Sequence, residues 1–292
     1  MNILSIIFFQ TLRSGAPLCI TAAGATCSEL TGVTNIGLEG MMLLGAFASA
    51  VISYYTGNPW IGLCAGMCAG GLLGWLHGII SIRYRGDQIV SGVAINLFAL
   101  GFTEFMLRVL FNQSGSSPQV TKIPSWGPVS PLLVLIYILC ILTHFFIYKT
   151  KTGLRMRAVG EHPLAADTVG VNVYRTRYLG VIISGVFAGI AGAYLSIATL
   201  SQFAKGMTAG RGFIALAAMI FGKWTPLGAL GAGLLFGLFS ALEVLGQQYL
   251  TAVPGQFIQM LPYVLTILAL AGVVGKAVAP AADGIPYTKS EE

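Results

Sequence analysis

The chain has 292 residues, of which 55% are apolar and 9% charged, with a mean hydropathy of +0.81 and a formal net charge of +6. A soluble domain carries about 25% charged residues, so this chain lacks the polar surface that a folded protein needs in water. The composition excludes a soluble enzyme, a disordered tail and a nucleic-acid-binding domain, and predicts a polytopic membrane protein.

A spanning helix needs about 20 mostly apolar residues, with a range of about 17–25. Residues 1–12 are too few to cross alone. They are read as an interfacial helix leading into a first span at Ser14–Glu29; the alternative makes them the first part of one longer span. Further spans are predicted over Gly40–Tyr55, Trp60–Ile82, Gln88–Phe111, Pro131–Tyr148, Tyr178–Leu200, Thr208–Gly222, Pro226–Gly246 and Gln256–Val274. That makes about nine, with the first and seventh short for a bilayer.

Between the first two spans, the stretch Glu29–Gly40 is part polar, punctuated by glycine and free of Lys and Arg. Irregular backbone survives near a membrane only where protein buries it or it lines water. A bend or re-entrant element near the cytoplasmic side is predicted, with an ordinary acidic loop as the alternative.

In the third run, Gly62, Gly66, Gly70, Gly74 and Gly78 recur every four residues, which keeps them on one slowly drifting helix stripe. Such a stripe lets a second backbone approach closely, so helix packing is predicted, with a substrate path as the alternative. In the fourth run, Asn96 sits well inside the span, and Glu104 and Arg108 are four apart and can pair. Polar groups at membrane depth are costly and point to function. Asn96 suits either a polar solute or a neighbouring helix; the Glu104–Arg108 pair, near the outer end, suits either an ion pair or a solute contact.

The segment from Lys149 to Arg177 holds six basic residues and the sequence Gly153-Leu-Arg-Met-Arg-Ala-Val-Gly-Glu-His-Pro-Leu-Ala-Ala-Asp-Thr-Val-Gly170. Pro163 suits the first turn of a helix and Gly170 its stop. Leu164, Ala165, Ala166 and Val169 can form a small apolar face. A short helix outside the membrane is predicted, suited to docking in a groove of another protein or to lying on anionic lipid. Lys and Arg favour the cytoplasmic side. With this loop inside, alternation also places Arg83, Arg85, Lys223, Lys276 and Lys289 inside, leaving Arg13, Arg108, Lys122, Lys205 and Arg211 outside. The N-terminus is then outside and the C-terminus inside.

The five cysteines, Cys19, Cys27, Cys64, Cys68 and Cys140, lie in apolar runs and read as small packing residues. No Walker sequence, HExxH, serine nucleophile elbow or carboxylate cluster is present. No catalytic, metal or cofactor-binding residue is therefore assigned, and energy for transport must come from elsewhere or transport is passive.

Three stretches carry a resemblance: Asn35-Ile-Gly-Leu-Glu-Gly40 with Met41–Phe47, Gln88–Gly101, and Gly153–Asp167. Across nearly its whole length the chain resembles the membrane permease subunits of ABC importers in the branched-chain amino acid, ribose and nucleoside group, closest in look to the nucleoside or simple-sugar permeases. The resemblance implies an all-α fold like that of the cobalamin-type importers, with residues 1–292 as a single transmembrane permease domain. It also implies an ATPase subunit that holds ATP and Mg, a second permease subunit that is plausibly a different chain, and an extracellular substrate-binding lipoprotein. It makes the chain a non-catalytic subunit of a bacterial plasma membrane, in contact with lipid and not with nucleic acid. The coupling surface for the ATPase would comprise Arg155, Arg157, Gly160, Glu161, His162, Pro163, Ala165, Ala166 and Asp167, with the contact helix at roughly Glu161–Val169. Asn35, Glu39, Asn96 and Glu104 are the candidates for the translocation path of a nucleoside, or alternatively of a ribose-like sugar. Sugar permeases of the group often have an extra N-terminal span, and this chain is expected to begin just before the second. The rival classes are a secondary carrier or channel independent of an ATPase, a membrane-embedded enzyme, and a loop held to lipid with no partner.

Overall fold

The computed structural model describes residues 3–249, the single positions 257, 260 and 264, and residues 278–289. The predicted span Gln256–Val274 and Lys276 lie outside the described residues, apart from those single positions. Among the described residues ten α-helices follow one another: α1 Ile3–Glu29, α2 Leu38–Thr56, α3 Pro59–Gly78, α4 Gln88–Phe111, α5 Pro131–Lys149, α6 Lys151–Glu161, α7 Pro163–Thr168, α8 Val173–Ala193, α9 Arg211–Phe221 and α10 Pro226–Tyr249. The last turns after α3 and α8 widen into π-helix over Ile79–Arg83 and Tyr194–Leu200. Among the described residues, seven helices are long and apolar enough to cross a membrane, and no extended β-ladder forms.

Two predicted spans change. Residues 3–29 form one helix of 27 residues, so the interfacial-helix reading gives way to a single long span. Pro17 lies inside it. In an apolar surround, opening the backbone would expose unsatisfied polar groups, so the helix continues through the proline. The seventh run contains only the 11 residues of α9. At 1.5 Å per residue it is about 16 Å long, roughly half of a hydrocarbon core.

α8 lies at the centre and packs on α1, α2 and α3. Glycine explains why. The α3 stripe meets α2 and then α8: a Cβ on Gly62 would meet the Ser49 carbonyl at 2.6 Å, one on Gly70 the Gly185 carbonyl, and one on Gly74 the Val181 carbonyl at 2.8 Å. Gly45 and Gly189 repeat the device between α2 and α8, at 2.6 Å from Cβ position to Cα. Backbones approach this closely only where side chains are absent, and each such approach adds dispersion contacts and leaves no space for lipid. Cys19, Cys27 and Cys140 are buried in this packing, but Cys64 and Cys68 sit on the exposed face of α3 and do not fill the core.

The charges sort by end. The segment 149–177, with Arg83, Arg85, Lys223 and Lys289, occupies the basic end, where Gly78 packs on Tyr178 and Lys289 meets Asp167. Arg13, Arg108, Lys122 and Lys205 occupy the opposite end. There the loop 112–130 folds along residues 197–205: the N–H groups of Ser117, Val120 and Ile123 donate to the carbonyls of Phe203, Ser201 and Ile197 at 2.8, 2.9 and 2.9 Å. Arg13 and Lys122 donate to the carbonyls of Pro128 and Thr199 in the same cap.

Candidate coupling surface and polar centre

The basic end is built from two helices where one was expected. α6 starts at Thr150, whose hydroxyl accepts from the Gly153 N–H at 3.1 Å. Gly153 lets α6 cross the end of α5 against the carbonyls of Phe146 and Ile147, and Gly160 lets it rest on the Leu30 carbonyl. His162 breaks the helix, and its Nδ1 accepts from the Ala165 N–H at 3.1 Å to cap α7. Pro163 occupies the first turn of α7, where a missing N–H costs nothing. Gly170, at φ +82°, closes it.

Of the apolar residues expected to form the face of α7, only Ala166 is buried; Leu164, Ala165 and Val169 point outward, with Val169 78% exposed. Arg155 and Glu161 are exposed beside them, while Arg157 is half-buried and lies over the Tyr148 ring at 4.8 Å. Asp167 is half-buried. The surface thus offers an exposed apolar tip with charges on its flank, the pattern of a helix that seats in a groove of a partner.

The second constellation lies inside the bundle. The bend between α1 and α2 is buried at Leu30–Val33, Asn35 and Gly37. The Asn35 amide, fully buried, donates to Ser184 Oγ at 2.7 Å, and its oxygen accepts from the Gly37 N–H at 3.1 Å. His77, also fully buried, ties the bend to its neighbours through Ser91 Oγ at 2.9 Å and the Thr34 carbonyl at 3.0 Å. Asn96 bridges α4 to this backbone, donating to the Ile36 carbonyl at 3.0 Å and accepting from the Gly40 N–H at 2.7 Å. Asn96 lies two turns into α4, about 12 Å from its start, which sets the depth of the bend.

At that depth α9 begins. Glu39, in the first turn of α2, accepts from the N–H groups of Gly210 and Gly212 at 2.8 and 2.6 Å. The first N–H groups of a helix have no partner within it and carry partial positive charge, so a carboxylate there is doubly favourable. Arg211 stands beside it, donates to the Met207 and Thr208 carbonyls at 3.2 and 3.1 Å, and has Glu39 and Glu243 as its acidic neighbours. Arg211, expected on the outer side at the start of the span Thr208–Gly222, thus stands at the head of α9 beside Glu39. The chain re-enters the bundle over residues 201–210, and charge alternation cannot register a segment that turns back midway. α9 then descends to the basic end, where Trp224 Nε1 donates to Glu29 Oε2 at 2.6 Å.

Glu104 belongs to neither constellation. At the opposite end it pairs with Arg108 at 3.3 Å and with Lys205 at 2.8 Å, both partly in solvent. Glu39, Asn35 and Asn96 are thus brought together around the bend, and Glu104 is not. The α9 terminus, Arg211 and Trp224 were missed in the sequence; Gly210 beside a basic residue at the head of a short apolar run was the available signal. Among the described residues no group of three His, Cys, Asp or Glu side chains could hold a metal.

The chain is 44% identical to the guanosine ABC transporter permease protein NupQ of Bacillus subtilis, covering 100% of this chain and 99% of that one. It is 41% identical to the nucleoside ABC transporter permease protein NupC of Lactococcus lactis, with the same coverage. It is 38% identical to the putative glucose ABC transporter permease protein TsgC13 of Haloferax volcanii, covering 81% of this chain and 76% of that one. Residues 7–270 match the model of the branched-chain amino acid transport system / permease component family, and the chain belongs to that family.

Proposed function

We propose that the chain is the permease subunit of an ATP-driven importer and forms the translocation path for a nucleoside. The observation that carries this reading is end-to-end likeness, at 44% and 41% identity, to permeases named for guanosine and nucleoside transport. The exposed tip of α7 supports the division of labour: a chain without a nucleotide-binding sequence offers a docking helix to a subunit that has one. In this reading Arg155, Arg157, Glu161, His162, Pro163, Ala165 and Asp167 face the ATPase, the buried Gly160 and Ala166 hold that seat in place, and the chain itself is not catalytic. ATP and Mg belong to the ATPase, a second and different permease completes the path, and an extracellular binding lipoprotein delivers the solute. The basic end faces the cytoplasm, in keeping with its Lys and Arg excess, which puts the N-terminus outside in a bacterial plasma membrane.

The mechanism is alternating access by rigid-body rocking. ATP-driven closure of the ATPases pushes on α7; α6, seated by Gly153 and Gly160, passes the displacement to the α1–α2 bend. Asn35 and Asn96 hold that bend, and Glu39 links it to α9, so these groups shape the wall of the path while Glu104 stands at its outer mouth. A ribose-like sugar is the second reading, favoured by the likeness to a permease named for glucose. Purification of the tagged chain from its native membrane tests the proposal: an ABC ATPase subunit co-purifies in stoichiometric amount, whereas a chain that purifies alone and still transports is a secondary carrier or channel.

A further inference from the structure

The segment Pro280–Lys289 lies across the basic end, and its contacts are specific. Tyr287 is 5% exposed and packs with Val159 of α6, Ala166 of α7 and Val173 of α8, its ring edge-on to Tyr174 at 5.4 Å. The Ala282 N–H donates to the Gly160 carbonyl at 2.8 Å, one of the α6 C-terminal carbonyls that the helix itself cannot satisfy. Arg177, 1% exposed, donates through Nη1 to the Ile285 carbonyl at 2.9 Å. On the other flank, Thr34 Oγ1 donates to Asp283 Oδ1 at 3.1 Å, and a Cβ on Gly32 would meet the Ala282 carbonyl at 2.9 Å. The Asp283 carboxyl also neighbours that of Glu29, the residue that holds Trp224. Burial holds the Asp283 carboxyl above its ordinary range, which favours the proton that such a carboxyl pair requires.

These contacts solve a mechanical problem. α7 has six residues and buries one side chain, Ala166. A helix that short has no stability of its own. A push on it would tilt α7 and leave the bundle at rest unless something braced it. We propose that Pro280–Lys289 is a strap that braces α7 against the α1–α2 bend, with Tyr287 and Asp283 as its positioning residues. Tyr287 holds the helix that receives the push, and Asp283 holds the elements that must move with it. The strap travels with α6 and α7 as one rigid body.

The proposal rests on the reading of α7 as the ATPase seat, and the test separates the two. The full chain, co-expressed with its partner subunits and reconstituted in liposomes, is assayed for ATP hydrolysed per solute transported. Tyr287→Ala raises that ratio by about fivefold or more, the low end of typical coupling energies, while the complex still assembles. Asp283→Ala raises it as well. Tyr287→Phe stays close to the wild-type ratio, because the ring that fills the Val159–Ala166–Val173 pocket is kept and only the hydroxyl is lost. Lys289→Ala also stays there, because its pair with Asp167 is 3.6 Å long and exposed. Wild-type ratios in both alanine variants overturn the strap, as does an assembly failure of Tyr287→Ala alongside normal coupling in Asp283→Ala, which marks plain packing. A wild-type complex with no ATP-dependent uptake overturns the underlying seat instead.

Discussion

The carboxylate of Glu39 receives the Gly212 N–H at 2.6 Å, joining the first turn of α2 to the first turn of a half-length helix in the middle of the bundle. A second bond from Gly210 fixes the carboxylate in both oxygens. The relationship makes α9 a unit anchored at both ends, by Glu39 above and by Trp224 on Glu29 below. Glu39→Ala strips the cap and leaves Arg211 beside one acid instead of two. The expected cost is about 2 kcal/mol, the upper range for a lost N-cap, with uptake falling by about tenfold or more. Glu39→Gln, which keeps an acceptor oxygen, falls between. Thermal unfolding in detergent and solute uptake check the two readouts.

The lower anchor gives a second prediction. Trp224→Phe preserves the ring and removes the indole donor, leaving the Glu29 carboxyl, 5% exposed, without that partner. An unsatisfied buried acceptor costs about 1–3 kcal/mol, read as a lower unfolding midpoint, with no loss of membrane insertion.

The glycine stripe yields a third. Gly70→Ala places a methyl group against the Gly185 carbonyl, where neither backbone can yield, and destabilises by about 1–3 kcal/mol as overpacking does. Gly101→Ala, with nothing within 4 Å, leaves the unfolding midpoint unchanged or slightly raised.

At the coupling surface the expected pattern inverts. Glu161 and Ala165 are exposed, so Glu161→Lys and Ala165→Trp change stability by no more than about 0.5 kcal/mol. Both abolish uptake with the protein still inserted and abundant. Normal uptake in both would remove α7 from the coupling path.

How far the sequence could be read follows from what each feature depends on. Long apolar runs and Lys/Arg asymmetry are local properties, so the long spans, the basic segment and the capped helix after Pro163 were legible. The Gly62–Gly78 stripe was legible as periodicity, but its two partners, α2 and α8, were not, because a stripe does not say what packs on it. α9 reads as a short span in the sequence, since hydropathy measures length and not direction, and a half-helix that re-enters from one side looks the same. The continuous helix Ile3–Glu29 was divided at Arg13, whose charge is met by a carbonyl 115 residues away. The strap was invisible for a like reason: Tyr287 is one aromatic residue in a short, mostly polar stretch, and only the fold supplies the Val159–Ala166–Val173 pocket that receives it.

In the proposed function this chain carries a nucleoside across the membrane with energy drawn from a partner ATPase. Uptake of a labelled nucleoside into proteoliposomes holding the chain, its second permease and the ATPase, with binding protein supplied, measures it directly. Accumulation is expected only when ATP is present on the ATPase side and the binding protein on the other, and it is lost in Glu161→Lys. Equal uptake without ATP, or with the ATPase left out, would contradict it.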